Sequence, residues 1–125
     1  QPVEYAKMLA ERIEKHGANV WLLNTGWTGG SYGTGVRFSL KYTRAMVTAI
    51  LDGSLEDIET QPDPVFGLNI PLSVPGVPTD VLNPRDTWAD GDAYDKQASD
   101  LAARFRENAS KFELTGAVLK AGPKG

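Results

Sequence analysis

The residues best suited to binding chemistry are five glycines that follow a short apolar run, residues 20–23. They are Gly26, Gly29, Gly30, Gly33 and Gly35, and Arg37 comes two positions later. Clustered glycines indicate backbone that adopts positive φ angles or that comes close to another group. We therefore predict that this stretch binds a ligand or docks against another part of the protein.

The spacing of these glycines does not match a common phosphate-binding loop. Gly30 and Gly35 have the spacing of the two glycines of a Walker loop. Such a loop would need a lysine directly after Gly35, but this position is Val36. The dinucleotide-binding pattern would need a third glycine at the position of Phe38. On pattern alone, a glycine-rich surface connection that binds nothing therefore remains the alternative.

Residues that could hold a metal or perform catalysis do not form a recognisable pattern. The sequence lacks cysteine, and its single histidine, His16, falls in the last turn of a predicted helix with no nucleophile nearby. Asp90 begins a stretch that resembles a calcium-binding loop, but Asp95 replaces the required glycine and Leu101 the closing glutamate. We therefore assign no catalytic residue and no metal ligand, and we interpret these aspartates as helix-starting residues.

The elements that would position the glycine-rich stretch follow from the hydrophobic spacing. Apolar residues recur every three or four positions in residues 2–16, about 42–52 and about 92–113, which predicts three helices. Residues 19–23 and 65–70 are predicted strands, and the prolines of residues 71–78 predict an extended connection. The fold class is therefore α/β, with at least three helices and two or three strands.

Apolar side chains are expected to hold these elements together. The last predicted helix has one apolar face, which consists of Ala98, Leu101, Ala102, Phe105, Ala109 and Phe112. Trp27 lies inside the glycine-rich stretch, where its ring could stack on a ligand or hold the loop in place, and we favour the second role.

Composition argues against several classes of protein. The 125 residues include 41% hydrophobic positions, which is enough for one domain-sized core. A net charge of −3 and a pI near 5.1 argue against binding to nucleic acid or to anionic lipid. No apolar run approaches the roughly 20 residues that span a bilayer, so we expect a soluble protein. The lack of cysteine is compatible with a reducing compartment, and the expected location is cytoplasmic.

Several separate motifs resemble one enzyme family. In chain order they read NTGWTGG, GTGVR, LKYTRAM, FGLNIP with PGVP, LNPRDTWAD and a final LKAGPKG. Their order and spacing resemble the C-terminal end of the ATP-dependent phosphoenolpyruvate carboxykinases. The resemblance implies that residues 1–125 are the C-terminal part of the nucleotide-binding domain, a fragment of a larger two-domain enzyme. Its predicted strands would then pair with strands encoded upstream.

The resemblance also implies a function and a site. The family converts oxaloacetate and ATP to phosphoenolpyruvate, ADP and CO2 in gluconeogenesis. The positions that contact the base and ribose side of ATP correspond to Arg37, Phe38 and Thr43. The Arg37 guanidinium can stack on adenine and donate hydrogen bonds, Phe38 would contribute its backbone, and Thr43 would open the next helix with a free hydroxyl. A surface ion pair with an acidic residue is the alternative role of Arg37.

What the fragment lacks follows from the same resemblance. The phosphate loop and the metal-binding lysine, histidine and aspartate of the family lie upstream. We therefore expect Mg²⁺ or Mn²⁺ in the parent enzyme, with ligands outside this fragment, and no activity of the fragment alone. Two other classes remain open, namely a free-standing nucleotide-binding module and an interaction domain that docks a partner through residues 71–78.

Overall fold

Helices and short strands alternate along the chain in a computed structural model that describes residues 2–124. The helices are α1 Pro2–His16, α2 Leu40–Leu51, α3 Gly91–Ala109 and α4 Gly116–Lys120. The strands are β1 Trp27–Thr28, β2 Val36–Arg37, β3 Thr60–Pro62 and β4 Asn69–Pro71. Turns of 3-10 helix cover Thr79–Val81 and Pro84–Thr87. The predicted α/β class and the three predicted helices are confirmed.

The strands form two separate antiparallel hairpins. In the first, Trp27 of β1 lies opposite Arg37 of β2, and Thr28 lies opposite Val36. In the second, β3 pairs with β4, and Gln61 lies opposite Ile70. The first hairpin is the one that carries the glycine-rich loop.

Residues 19–23, a predicted strand, form no strand here, because the segment has no strand partner within residues 2–124. The pairing with an upstream strand that the resemblance implies stays a prediction. A strand is stable only when its backbone N–H and C=O groups are paired with a neighbour. Trp21 packs against the core from this segment, whereas Val20 and Leu22 are 59% and 78% exposed. The apolar run therefore fixes the approach to β1 without joining a sheet.

The predicted strand at residues 65–70 is also largely wrong, since β4 begins only at Asn69. The buried carboxylate of Asp63 accepts hydrogen bonds from the N–H groups of Val65 (2.9 Å) and Phe66 (2.6 Å). Gly67 then adopts a φ of +69°. An aspartate that satisfies its own downstream N–H groups favours a turn over an extended strand.

The core lies between α2 and residues 71–78. It consists of Ala49, Leu55, Val74 and Val77. The prediction that residues 71–78 are extended is wrong, because Pro75 and Gly76 form a tight turn. In this turn the Val77 N–H donates to the Val74 carbonyl over 3.1 Å. Gly76 has a φ of +76°, which a proline–glycine turn requires at this position. The turn packs toward α2 and buries both valines.

The outer helices remain largely open to solvent within residues 2–124. α1 buries no side chain, and its Tyr5 is 73% exposed. The predicted buried face of α3 is correct for Ala98 and Ala102 but wrong for Leu101, which is 42% exposed. The prediction is also wrong for Phe105, which is 52% exposed and whose ring meets the Phe66 ring edge to face, with centroids 6.4 Å apart. No helix in this part of the chain is long and apolar enough to cross a membrane.

Candidate functional site

The glycine-rich loop, residues 29–35, closes on itself between β1 and β2. The carbonyl of Ser31 accepts hydrogen bonds from the N–H groups of Thr34 (3.0 Å) and Gly35 (2.8 Å). A Cβ atom on Gly30 would lie 2.9 Å from the Gly35 nitrogen, and one on Gly35 would lie 2.5 Å from the Gly30 oxygen. These glycines are therefore required because two stretches of backbone touch each other.

The same loop also docks against a second motif, residues 84–87. Gly29 has a φ of +74°, and its N–H donates to the Thr87 hydroxyl oxygen over 3.1 Å. The Thr87 hydroxyl in turn donates to the Pro84 carbonyl over 2.7 Å. The LNPRDTWAD motif thus holds the NTGWTGG motif in place, although the two lie far apart in the sequence.

Thr87→Val tests this link, since it removes the hydroxyl and keeps the side-chain shape. We expect the free energy of unfolding of the whole enzyme to fall by about 1 kcal/mol, because the N–H of Gly29 and the carbonyl of Pro84 lose a partner. Chemical denaturation measures the change. Thr48→Val on the exposed side of α2 is the matched control. Equal effects of the two substitutions would contradict the link.

Arg37 stands at the end of the hairpin with its side chain exposed. The Phe38 N–H donates to the Gly26 carbonyl over 2.9 Å, so Gly26 and Phe38 form a hydrogen-bonded pair of the ladder. The next pair, Trp27 and Arg37, is therefore a non-hydrogen-bonded pair, whose side chains leave the hairpin on the same face. Within residues 2–124 the ion pairs are Lys7 with Glu4 and Arg85 with Asp95, and neither includes Arg37.

Trp27 holds the loop from this face of the hairpin. Its ring meets the ring of Tyr32, at the tip of the loop, with centroids 5.2 Å apart and planes at 87°. Such edge-to-face contacts are a favourable arrangement of aromatic rings. This contact is consistent with the preferred role for Trp27, holding the loop, and the residue is still 46% exposed.

Phe38 directly follows Arg37 at the end of β2, and Thr43 lies in the first turn of α2. The Phe38 ring is half-buried and meets the Tyr42 ring at 6.1 Å. Because the Phe38 N–H already donates to Gly26, a ligand could bond to the Phe38 backbone only through the carbonyl, which accepts hydrogen bonds. The Thr43 hydroxyl was predicted to be free. In the structure it donates to the Ser39 carbonyl over 3.2 Å. Its oxygen can still accept a hydrogen bond.

An open cleft of about 320 Å³ lies on the other face of the hairpin. It is lined by Thr28, Gly29, Val36, Asp80, Val81, Asp86 and Thr87. Because neighbouring residues of a strand point to opposite faces, Arg37 and Trp27 point away from this cleft. The lining carries two carboxylates and no cationic side chain, so it does not suit a phosphate group. Sequence reasoning missed this cleft, because its lining combines residues of the hairpin with residues 80–87, which are distant in the sequence.

Arg85 is the other arginine near these motifs, and its guanidinium is already occupied. It donates two hydrogen bonds to Asp95, at 2.8 Å and 2.9 Å. These bonds lower the pKa of the Asp95 carboxyl and raise the pKa of the Arg85 guanidinium. The pair ties residues 84–87 to α3, beside a pocket of about 190 Å³ that also includes Tyr94. Arg85 therefore acts in the structure of this motif.

The acidic residues at the start of α3 serve the helix. Asp90 caps α3, because its carboxylate accepts hydrogen bonds from the N–H groups of Asp92 (3.0 Å) and Ala93 (3.1 Å). This geometry is that of a helix N-cap, as the sequence predicted. Residues 2–124 contain no group of three or more His, Asp or Glu side chains that could hold a metal ion.

The comparisons with known proteins identify the family to which these motifs belong. The sequence model of the phosphoenolpyruvate carboxykinase family matches residues 1–80. Phosphoenolpyruvate carboxykinase (ATP) of Caldanaerobacter subterraneus subsp. tengcongensis is 55% identical over 125 residues. The enzyme of that name from Thermus thermophilus is 53% identical over 125 residues, and enzyme 1 from Moorella thermoacetica is 54% identical. The chain therefore belongs to the phosphoenolpyruvate carboxykinase family.

The alignments also show how much of these enzymes the chain represents. They cover 98% to 99% of this chain but only 24% of each of the three relatives. The chain thus spans about a quarter of the length of the relatives that it matches.

Proposed function

We propose that this chain is the C-terminal part of the nucleotide-binding domain of an ATP-dependent phosphoenolpyruvate carboxykinase, and that it contributes the adenine side of the ATP site. The observation that carries this proposal is the exposed guanidinium of Arg37, which the hairpin holds in a fixed register and which has no ion-pair partner within residues 2–124. A planar cation without a partner suits a base or a ribose.

The reaction of the whole enzyme belongs to the same proposal. The relatives carry names that specify ATP, and the motifs resemble those of enzymes that convert oxaloacetate and ATP to phosphoenolpyruvate, ADP and CO2. We place this reaction in gluconeogenesis and in the cytoplasm. The divalent metal and the phosphate-binding residues would come from outside this segment, so the segment alone is not expected to turn over oxaloacetate.

The local hydrogen bonds suggest how adenine would be recognised. The Thr43 hydroxyl donates to the Ser39 carbonyl, and in this arrangement its oxygen is left to accept a hydrogen bond. The carbonyl of Phe38 is likewise an acceptor. The amino group at position 6 of adenine is a donor, whereas guanine carries an acceptor oxygen at this position. The acceptor oxygens of Phe38 and Thr43 therefore suit the amino group of adenine.

Thr43→Val in the whole enzyme tests this assignment. It removes the accepting oxygen, so the apparent binding constant for ATP should weaken by about two- to tenfold, which corresponds to one ordinary hydrogen bond. The affinity for oxaloacetate should stay unchanged. Steady-state kinetics with each substrate varied separately measures both, and Thr48→Val is the control. Weaker oxaloacetate affinity with unchanged ATP affinity would contradict the proposal.

The two alternative functions receive less support. Docking of a proline-rich segment needs residues 71–78 to be extended and accessible, whereas Val74 and Val77 are buried and joined by a tight turn. Relatives of a free-standing nucleotide-binding module would be expected to have about the length of this chain. The three relatives compared are about four times as long.

A further inference from the structure

Trp27 has a geometry that holding the loop does not fully explain. Its indole is 46% exposed although it contacts Tyr32, so part of the ring remains open. It lies directly opposite Arg37 in a non-hydrogen-bonded pair, so the indole and the guanidinium share one face of the hairpin. We propose that Trp27 is a further nucleotide-binding residue, on whose open face the adenine ring of ATP stacks beside Arg37. This inference rests on the proposed function.

The indole has a neighbour within the loop, Tyr32, before any ligand binds, and Tyr32 itself is 84% exposed. The edge-to-face contact with Tyr32 restrains the ring from one side. Tyr32 in turn belongs to a loop that is closed by the hydrogen bonds to the Ser31 carbonyl and by the close approach of Gly30 and Gly35. A platform whose rotamer is already restricted loses little conformational entropy when a ligand binds. This favours stacking on Trp27 over stacking on a freely rotating side chain.

The chemistry of this face matches a purine base. An indole offers a flat π surface, and base–aromatic stacking is a common mode of recognition that tolerates different bases. The neighbouring guanidinium supplies hydrogen-bond donors for ring nitrogens or for ribose oxygens. The opposite face of the hairpin carries the carboxylates of Asp80 and Asp86, which would repel the phosphates of ATP. The face of Trp27 and Arg37 is therefore the one suited to the nucleotide.

The test uses the whole enzyme and compares Trp27→Leu, Trp27→Phe and Arg37→Ala. The probes are ADP, inorganic tripolyphosphate, which lacks the base, and oxaloacetate. We expect Trp27→Leu to weaken ADP binding roughly tenfold, in the range of one lost base stack, and to leave the other two probes unchanged. Trp27→Phe should restore most of the affinity for ADP. Trp88→Leu is the control, since Trp88 makes a similar edge-to-face contact with Tyr94.

Two outcomes would overturn the inference. Unchanged ADP binding by Trp27→Leu, with weaker binding by Arg37→Ala, would mean that Trp27 only holds the loop, and the proposed function would survive. Equal weakening of ADP and tripolyphosphate binding would assign Trp27 a general structural role. Unchanged ADP binding by Arg37→Ala would reject the proposed function itself.

A fluorescence measurement covers the case in which Trp27→Leu does not fold. ADP should quench part of the tryptophan emission of the wild-type enzyme, and this part should be missing in Trp27→Phe. An identical quench in the two proteins would also overturn the inference.

Discussion

Gly35→Ala is expected to destabilise the whole enzyme by about 1 to 3 kcal/mol, which is the usual cost of forcing extra atoms into a filled space. The added Cβ would lie 2.5 Å from the Gly30 oxygen and 2.7 Å from the Thr28 oxygen. Both are backbone atoms of the same hairpin, so they can move only if the loop opens. Chemical denaturation and hydrogen exchange at the N–H groups of Thr34 and Gly35 measure the effect.

Gly116→Ala provides the matched control for this substitution. Gly116 begins α4 and does not adopt a positive φ, and a Cβ atom added to it would meet no other atom within 4 Å. Its replacement should therefore be neutral or slightly stabilising, since alanine has the higher helix propensity. If Gly35→Ala were as well tolerated as Gly116→Ala, the close approach within the loop would not exist. Trp27 and Arg37 would then also lack the restraint that the closed loop provides.

Arg37→Ala in the whole enzyme is expected to weaken ATP binding by roughly tens-fold. The guanidinium supplies both a stacking surface and hydrogen-bond donors, and such a group contributes on the order of 1 to 3 kcal/mol when it is desolvated. The effect should exceed that of Thr43→Val, which removes one acceptor. Oxaloacetate affinity should remain nearly unchanged, because the proposed contact is with the base and ribose. Isothermal titration with ATP or ADP measures the loss directly.

Arg104→Ala is the control for the removal of a positive charge. Arg104 lies exposed on α3, and its loss should leave ATP binding unchanged. A loss of oxaloacetate affinity with retained ATP affinity in Arg37→Ala would move Arg37 to the organic-acid site. Equal losses of ATP affinity in the two variants would show that only the net charge matters.

The helices could be predicted from the sequence because their signals are local. The spacing of apolar residues predicted α1, α2 and most of α3. The aspartates that begin at Asp90 predicted the start of α3, where Asp90 is the cap. The end of α2 at Leu51 lies one residue from the predicted end, and Gly53 follows with a φ of +80°. Helical hydrogen bonds join residues four positions apart, so a short window of sequence contains the relevant information.

The strands and the buried face of α3 could not be predicted in the same way, because they depend on distant partners. Residues 19–23 have the composition of a buried strand but no partner within residues 2–124. Leu101 follows the helical apolar spacing and is nevertheless 42% exposed, because no element in this part of the chain packs over it. Local pattern indicates which residues can be buried, whereas tertiary contacts decide which of them are.

The candidate site shows the same division. The glycines indicated positive φ angles or close backbone contacts, and both occur, at Gly29 and at Gly35. The sequence could not show that the Thr87 hydroxyl accepts a hydrogen bond from the Gly29 N–H. It also could not show that the Thr43 hydroxyl donates to the Ser39 carbonyl. Both depend on exact side-chain positions. The placement of Arg37 opposite Trp27 likewise required the register of the hairpin.

The most direct test of the central claim is a structure of the whole enzyme with bound ADP. We expect the Arg37 guanidinium to lie in hydrogen-bonding or stacking contact with the adenine or the ribose, with Thr43 at the base edge. The contact should disappear in the Arg37→Ala variant without a change in the position of the phosphates. A structure in which Arg37 contacts the organic acid, or in which the base lies away from β2 and the start of α2, would contradict the account.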